Sequence, residues 1–306
     1  MNNFLDISKV SKTSLRSIIE EAKTIKAKRQ GLRNGDLDSE SSLRGCIVGL
    51  LFEKPSTRTR VSFDVGVRQM GGQSLMLSAL DLHLGDGESV SDTAKVLSRY
   101  LDMLMIRTFD ERLLLEFAAN SKIPVINGLT DQSHPCQVMA DIMTFEELRG
   151  SIFEKKITWV GDGNNVCSSY IHAAIKFGFN LTIASPKELM PPKSVLKWAK
   201  EQGRTINLLR DPKLAVKNAD LVVTDTHASM HNDISKSKFK LKELSCFQVN
   251  NELMECAKSD GIFLHCLPAH RNIEVTDEVI DGPKSAVFEA AENRLHVQKA
   301  IMKWCI

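Results

Sequence analysis

Three hydroxyls and two permanent cations crowd into one short stretch, Ser56, Thr57, Arg58, Thr59 and Arg60, introduced by Pro55. The stretch follows an apolar run at 47–52 that reads as a buried strand. It precedes apolar residues at Val61, Phe63, Val65, Val67 and Met70 that read as one face of a helix. At such a junction backbone N–H groups without intrahelical acceptors meet the positive end of the helix dipole. That arrangement binds phosphate before any side chain is added, and Arg can clamp phosphate oxygens with two parallel hydrogen bonds. A plainer reading has Ser56 capping the helix and the arginines solvated, which suffices for a lone Ser-Thr. The combination of residues favours anion binding.

Other reactive residues fall at similar places. Arg107 abruptly ends the apolar run at 103–106. It is either the first exposed position or a second clamp for phosphate or carbonyl oxygen. His134-Pro135-Cys136-Gln137 pairs an imidazole with an amide, which suits a small carbonyl or amide group; a structural loop histidine is an equal reading, and Cys136 reads as packing. Gly161-Asp162-Gly163-Asn164-Asn165-Val166 follows a strand and opens a helix. It approaches the dinucleotide fingerprint, but Val166 replaces its third glycine and would crowd the helix against the strand. The asparagine pair suits a carboxylate instead. Asp225, with Ser229, Met230 and His231 close behind, offers a seat for an ammonium group, or else an Asx-turn followed by an ST-turn. His265-Cys266-Leu267-Pro268 invites a nucleophile reading, yet adjacent residues at an extended strand end point apart. A cysteine lining a pocket near an amine fits better. His270 and Arg271 read as surface. So does Arg294, unless its helix folds over the site.

These residues must be positioned by alternating strands and helices. Strands are expected at 47–52, 74–78, 103–106 and 125–127, with helices at 13–29 (capped by Thr13 or Ser14), 57–70, 89–100, 110–120 and 136–148 between and around them. After Gly150 and Ser151 the rhythm restarts, with strands at 157–160, 181–184, 206–208, 221–224 and 262–265 and helices at 165–177 and 193–202. Such alternation implies parallel sheets with helices on both faces, where ligands bind beyond the carboxyl ends of the strands. The fold class is α/β: two doubly wound parallel-sheet domains, 1–150 and 151–306, with an interdomain cleft. The closing helix at 290–306 is a candidate to pack back on the first domain. A length of 306 residues suits two cores.

Composition excludes other classes. Net charge is +2, from 40 basic and 38 acidic residues, so no global field attracts nucleic acid. The lysine-rich segment 235–242 reads as solvated surface. No run approaches the roughly 18 apolar residues of a membrane span. The opening Met-Asn-Asn-Phe-Leu-Asp lacks a secretory pattern. Seven cysteines without a Cys-x-x-Cys pair argue against disulfides and structural zinc, so a reducing cytoplasm is expected.

Taken jointly, the segment 56–60, His134-Pro-Cys-Gln137, His265-Cys-Leu-Pro268, Gly161–Asn165, Asp225-x-x-x-Ser229-Met230 and Glu292-Asn293-Arg294 resemble the signatures of the ornithine carbamoyltransferases, over essentially the whole chain. The first motif is shared with aspartate carbamoyltransferase; the Cys-Leu-Pro and Asp-x-x-x-Ser-Met motifs favour ornithine. The resemblance implies transfer of the carbamoyl group of carbamoyl phosphate to the δ-amine of L-ornithine, giving L-citrulline and phosphate in arginine metabolism. It implies no metal or organic cofactor, and a homotrimer or a multiple of trimers, with no nucleic-acid or membrane partner. By the same resemblance Ser56, Thr57, Arg58 and Thr59 would hold the phosphate and Arg107 would bridge phosphate and carbonyl oxygen. His134 and Gln137 would bind the carbamoyl group, helped by Cys266, Leu267 and Arg294. Asn165, Asp225, Ser229 and Met230 would hold the amino-acid end. His83 matches a loop that reaches a neighbouring subunit's site.

Two departures bear on loop closure and amine specificity: His231 stands where relatives usually have glycine, and His227 where they often have tryptophan. Arg107, His134, Cys266 and Asp225 carry the expected chemistry. The δ-amine must be neutral to attack, Asp225 and Cys266 would orient it and take up its proton, and Thr59, Arg107 and His134 would meet the charge growing on the carbonyl oxygen. The rival readings are carbamoyl transfer to aspartate, putrescine or an acylated ornithine; an NAD-dependent dehydrogenase resting on 161–166; and a binding protein that kept the fold.

Overall fold

The computed structural model of the protein describes residues 1–54, 56–78, 87–227 and 234–306, with the side chains of 234–237 outside that description. Two compact units emerge: Met1–Met143 together with Glu292–Ile306, and Thr144–Ala291.

The first unit is built on strands β1 (Ile47–Phe52), β2 (Gln73–Ser78), β3 (Met103–Arg107) and β4 (Val125–Leu129). They pair in parallel in the order β2-β1-β3-β4. A central parallel strand is covered on both faces, so it reads as a continuous apolar run rather than an alternation. Met103, Leu104, Met105 and Ile106 of β3 are accordingly all buried. The chain leaves β1 to form β2 on one side, then returns past β1 to form β3 on the other. That reversal opens a crevice at the carboxyl ends of β1 and β3. The junction at 56–59 follows one of these strands and Arg107 ends the other.

The second unit repeats the plan. Strands β5 (Lys156–Val160), β6 (Asn180–Ala184), β7 (Asn207–Leu209), β8 (Leu221–Thr224) and β9 (Ile262–His265) lie parallel in the order β7-β6-β5-β8-β9. Its reversal falls between β5 and β8, the strands that precede Asn164 and Asp225. Val160, Val222 and Phe263 anchor a core completed by Phe247, Val249 and Val287.

Several local expectations change. The first helix is Lys12–Lys28, and its cap is Ser11, whose hydroxyl accepts from Ser14 N at 3.0 Å. Thr13 and Ser14 therefore lie inside the first turn. The segment 235–242 belongs to helix Ile234–Glu243: Lys238, Phe239 and Lys242 are exposed, in keeping with solvated surface, but Lys240 is half-buried and paired with Asp162. The crossings between the two compact units fall inside helices, Pro135–Arg149 and Val287–Cys305, the first a few residues ahead of Gly150 and Ser151. Gly150 adopts the left-handed conformation just past the first of these helices, at φ 72°, where glycine ends a helix without a Cβ penalty. Among the described residues no helix is long and apolar enough to cross a membrane.

Candidate active site

Ser56 is the N-cap of helix Thr57–Gln69; its backbone is extended and its hydroxyl accepts from Thr59 N at 3.3 Å. Thr57 is exposed, Arg58 is half-buried and Thr59 is fully buried. Thr59 Oγ1 accepts from Arg107 Nη1 at 3.2 Å and from Arg294 Nη2 at 2.7 Å. With two N–H donors on its oxygen, the Thr59 hydroxyl keeps its single O–H for another acceptor. Arg294 is therefore not the solvated surface residue that helix position alone suggested: it is 3% exposed and its guanidinium reaches the first turn of helix Thr57–Gln69.

His134 precedes helix Pro135–Arg149 and is buried. Burial holds its imidazole well below the ordinary pKa, and the Arg294, Arg107 and Arg58 guanidiniums add to that effect. The ring is thus neutral at physiological pH, a hydrogen-bonding group beside three cations. That field suits an anionic ligand. Gln137 donates its Nε2 to Asp141 Oδ1 at 2.9 Å, which orients the amide. Its Oε1 is buried with no hydrogen-bond partner, an acceptor suited to an N–H of a ligand. Cys136 is packing, as expected: it is fully buried, its Sγ donates to Asn127 O at 3.4 Å, and burial pushes the thiol up to about 12.

In the second unit Asp225 is buried at the end of β8. Its Oδ1 accepts from Cys266 Sγ at 2.6 Å and from Thr226 N at 2.7 Å, and its Oδ2 accepts from Asn164 Nδ2 at 2.7 Å. Asn164 also caps helix Asn165–Phe177, accepting on Oδ1 from Val166 N and Cys167 N. Of the asparagine pair read as suiting a carboxylate, Asn164 is thus the one bonded to Asp225. The signal for its capping role was the position immediately before the apolar helix, where Asn is a preferred cap. Asn165 opens the helix half-buried.

The glycines of 161–166 make close approaches to protein atoms. A Cβ on Gly163 would lie 2.3 Å from Pro191 N and 2.6 Å from Leu189 O, and one on Gly161, at φ 122°, would lie 3.1 Å from His227 Nε2. The space that a pyrophosphate needs beside the second glycine of a dinucleotide fingerprint is filled by backbone 189–191. His227 itself is buried, and that burial pulls its pKa down to about 4. His83, Ser229, Met230 and His231 lie outside the described residues.

His265 accepts on Nδ1 from Leu267 N at 2.8 Å, and its Nε2 lies 3.4 Å from the buried Glu274 carboxylate. Burial alone would raise Glu274, but the His265 ring and the His270 main chain outweigh it and hold the carboxyl below its usual range. Donor atoms of Asp225, His265 and Cys266 fall within 4.8 Å of one another, a set that a metal ion could in principle use. The His265 Nδ1 lone pair is spent on Leu267 N, and three donors, among them Cys266 Sγ, already lie on the Asp225 carboxylate, so the three groups are bonded to one another and to their neighbours.

The chain matches two family descriptions in succession: "Aspartate/ornithine carbamoyltransferase, carbamoyl-P binding domain" over residues 2–147 and "Aspartate/ornithine carbamoyltransferase, Asp/Orn binding domain" over 154–305. It is 56% identical to the ornithine carbamoyltransferase of Ruegeria pomeroyi and 55% identical to that of Cereibacter sphaeroides, covering all of this chain and 99% of each relative. Among solved structures it is similar to ornithine carbamoyltransferase from Pyrococcus furiosus, with TM-score 0.92, 44% identity, and coverage of 98% of this chain and 96% of that one.

Proposed function

The chain belongs to the aspartate/ornithine carbamoyltransferase family, and from that premise we propose how its residues carry the reaction. It catalyses ornithine carbamoyltransfer: the carbamoyl group of carbamoyl phosphate passes to the δ-amine of L-ornithine, giving L-citrulline and phosphate.

The first unit takes carbamoyl phosphate. Ser56, Thr57, Arg58 and Thr59 receive the phosphate at the helix N-terminus, and Arg107 spans phosphate and carbonyl oxygen. Arg294 and neutral His134 donate to the carbonyl, and the Gln137 Oε1 accepts from the carbamoyl N–H. The second unit takes ornithine. Asp225, Asn165, Ser229 and Met230 hold the α-amino and α-carboxylate end. Cys266 with Asp225 orients the δ-amine and draws off its proton, and the Leu267 main chain accepts from the carbamoyl group. His83 is assigned to the carbamoyl phosphate site through a neighbouring subunit. We also infer a cytoplasmic homotrimer, or a multiple of trimers, acting in arginine biosynthesis, without metal or organic cofactor.

As the amine attacks, negative charge grows on the carbonyl oxygen. Preorganised donors that meet it lower the barrier without reorganising, and each is typically worth about 3–4 kcal/mol. Holding two substrates together supplies much of the remaining acceleration.

The observation that carries this reading is the pair of guanidiniums on Thr59 Oγ1, which leaves the hydroxyl proton for a substrate oxygen. The test is product analysis with purified protein, carbamoyl phosphate and, separately, ornithine, aspartate, putrescine and N-acetylornithine. Citrulline with equimolar phosphate from ornithine is expected. Product from another amine with none from ornithine would overturn the reading.

A further inference from the structure

We propose that Glu53 is a positioning residue that fixes the direction of the Arg107 guanidinium. The proposal rests on the reading that Arg107 acts on carbamoyl phosphate.

Glu53 immediately follows β1, and Arg107 ends the neighbouring β3, directly opposite Phe52. The two strand ends are laced together by one side chain. Glu53 N donates to Arg107 O at 2.9 Å. The Glu53 Oε2 then accepts both from Thr108 Oγ1 and from Phe109 N, the latter at 3.2 Å. The three residues 107–109 are thus bound to one glutamate through successive groups. Thr108 is fully buried, so loss of the carboxylate would strand a buried hydroxyl.

The other flank of the same segment is equally constrained. The register between β3 and β4 shifts at Ile106/Arg107: Ile106 pairs with Asn127, and Arg107 with Leu129. The extra residue lies in β4, and a bulge of this kind bends its own strand and raises the local twist beside Arg107. Gly128 is the skipped residue, and a Cβ there would lie 2.3 Å from Met105 Sδ and 3.1 Å from Ile106 O. Thr108 N donates to Leu129 O at 3.0 Å, and Asp131 N donates to Phe109 O at 3.0 Å. Lys54 closes the ring, with its Nζ on Asp131 Oδ1 and 4.0 Å from the centre of the Phe109 ring. Arg107 stays in register opposite Phe52, and Glu53 holds the segment 107–109 against the strand that leads into Ser56–Thr59.

A guanidinium displaced by about 1 Å can cost on the order of 100-fold in rate. Glu53→Ala should lower kcat/KM for carbamoyl phosphate by about that factor. The KM for ornithine at saturating carbamoyl phosphate should stay near wild type, while the midpoint of thermal unfolding should fall modestly because the Thr108 hydroxyl is stranded. Glu53→Gln keeps an oxygen that both donors can reach and should restore most of the loss. Arg107→Ala, measured in parallel, separates the two levels. If Arg107→Ala is nearly inactive while Glu53→Ala has wild-type kinetics, the positioning role is overturned and the substrate role of Arg107 stands. If Arg107→Ala is itself fully active, the underlying assignment falls and the proposal with it. Should Glu53→Ala fail to fold, Thr108→Val removes one of the three links with the fold kept. It should show a smaller loss confined to the carbamoyl phosphate term, and unchanged kinetics would contradict the proposal.

Discussion

Arg294 and Thr59 stand 235 positions apart in the chain, yet the Arg294 guanidinium donates to the Thr59 hydroxyl at 2.7 Å. Arg107 reaches the same oxygen. A threonine buried in the first turn of a helix thereby becomes the hub of a cationic site, with its own proton directed away from both guanidiniums. Neutral His134 lies in the same field.

The hub can be removed almost isosterically. Thr59→Val deletes the hydroxyl and leaves two guanidiniums without their shared acceptor. Loss of one preorganised donor should reduce kcat/KM for carbamoyl phosphate by roughly 100- to 1000-fold. Thr59→Ser should retain most activity. Steady-state kinetics on both variants checks this; an active Thr59→Val would show that the hydroxyl proton does not serve the reaction.

Asp225→Asn should separate the two substrates. The amide places an N–H₂ group where an oxygen now accepts from Asn164 or from Cys266 and Thr226. It also removes the negative charge expected to face the amino acid. Charge-assisted hydrogen bonds contribute about 1.5–3 kcal/mol, so the ornithine dissociation constant should rise roughly 10- to 100-fold. Carbamoyl phosphate binding should be unchanged. Calorimetric titration with each ligand reads both quantities, and equal loss of both would count against the assignment.

Acid should destabilise this fold earlier than carboxylate titration alone would. Burial lowers His134, His227 (to about 4) and His296 (to about 3). An unfolded imidazole takes a proton near pH 6.5, whereas these folded ones refuse it. Below about pH 6.5 the unfolded state therefore binds more protons, and stability falls as pH falls. Each such histidine contributes about 1.4 kcal/mol per pH unit until its folded pKa is reached. Denaturant midpoints should be level from pH 8 to 7 and decline steadily toward pH 4.5, with a shallower decline in His227→Phe. A flat profile between pH 7 and 5 would contradict the buried neutral rings.

Gly163→Ala tests the close approach that displaced the dinucleotide reading. The new methyl would meet backbone atoms at 189–191 rather than a flexible side chain. Overpacking of this kind costs typically about 1–3 kcal/mol, read as a lower denaturant midpoint. Wild-type stability would mean that the segment 189–191 gives way.

Local signals carried much of this molecule. The apolar runs at 47–52 and 103–106 announced buried parallel strands, and the hydroxyls after the first announced a helix start that Ser56 indeed caps. What stayed hidden is long-range or one residue out of register. Helix position alone marks Arg294 as solvated; the resemblance carried by Glu292-Asn293-Arg294 pointed it to the site, and tertiary packing brings it to Thr59. Asn164 and Asn165 are chemically identical neighbours, and which of them caps the helix depends on where the first turn begins. Glu53 looks like an ordinary strand-end carboxylate until β3 is known to lie beside β1. The order of strands, which brings the ends of β1 and β3 together, follows from the reversal of winding and not from any one segment.

The most direct test of the site is a crystal structure with a bisubstrate analogue that joins a phosphonate to ornithine. The phosphonate should sit at the N-terminus of helix Thr57–Gln69, with one oxygen hydrogen-bonded to the Thr59 hydroxyl and another to the Arg58 or Arg107 guanidinium. An analogue bound tightly elsewhere, with Ser56, Thr59 and Arg107 untouched, would contradict the account.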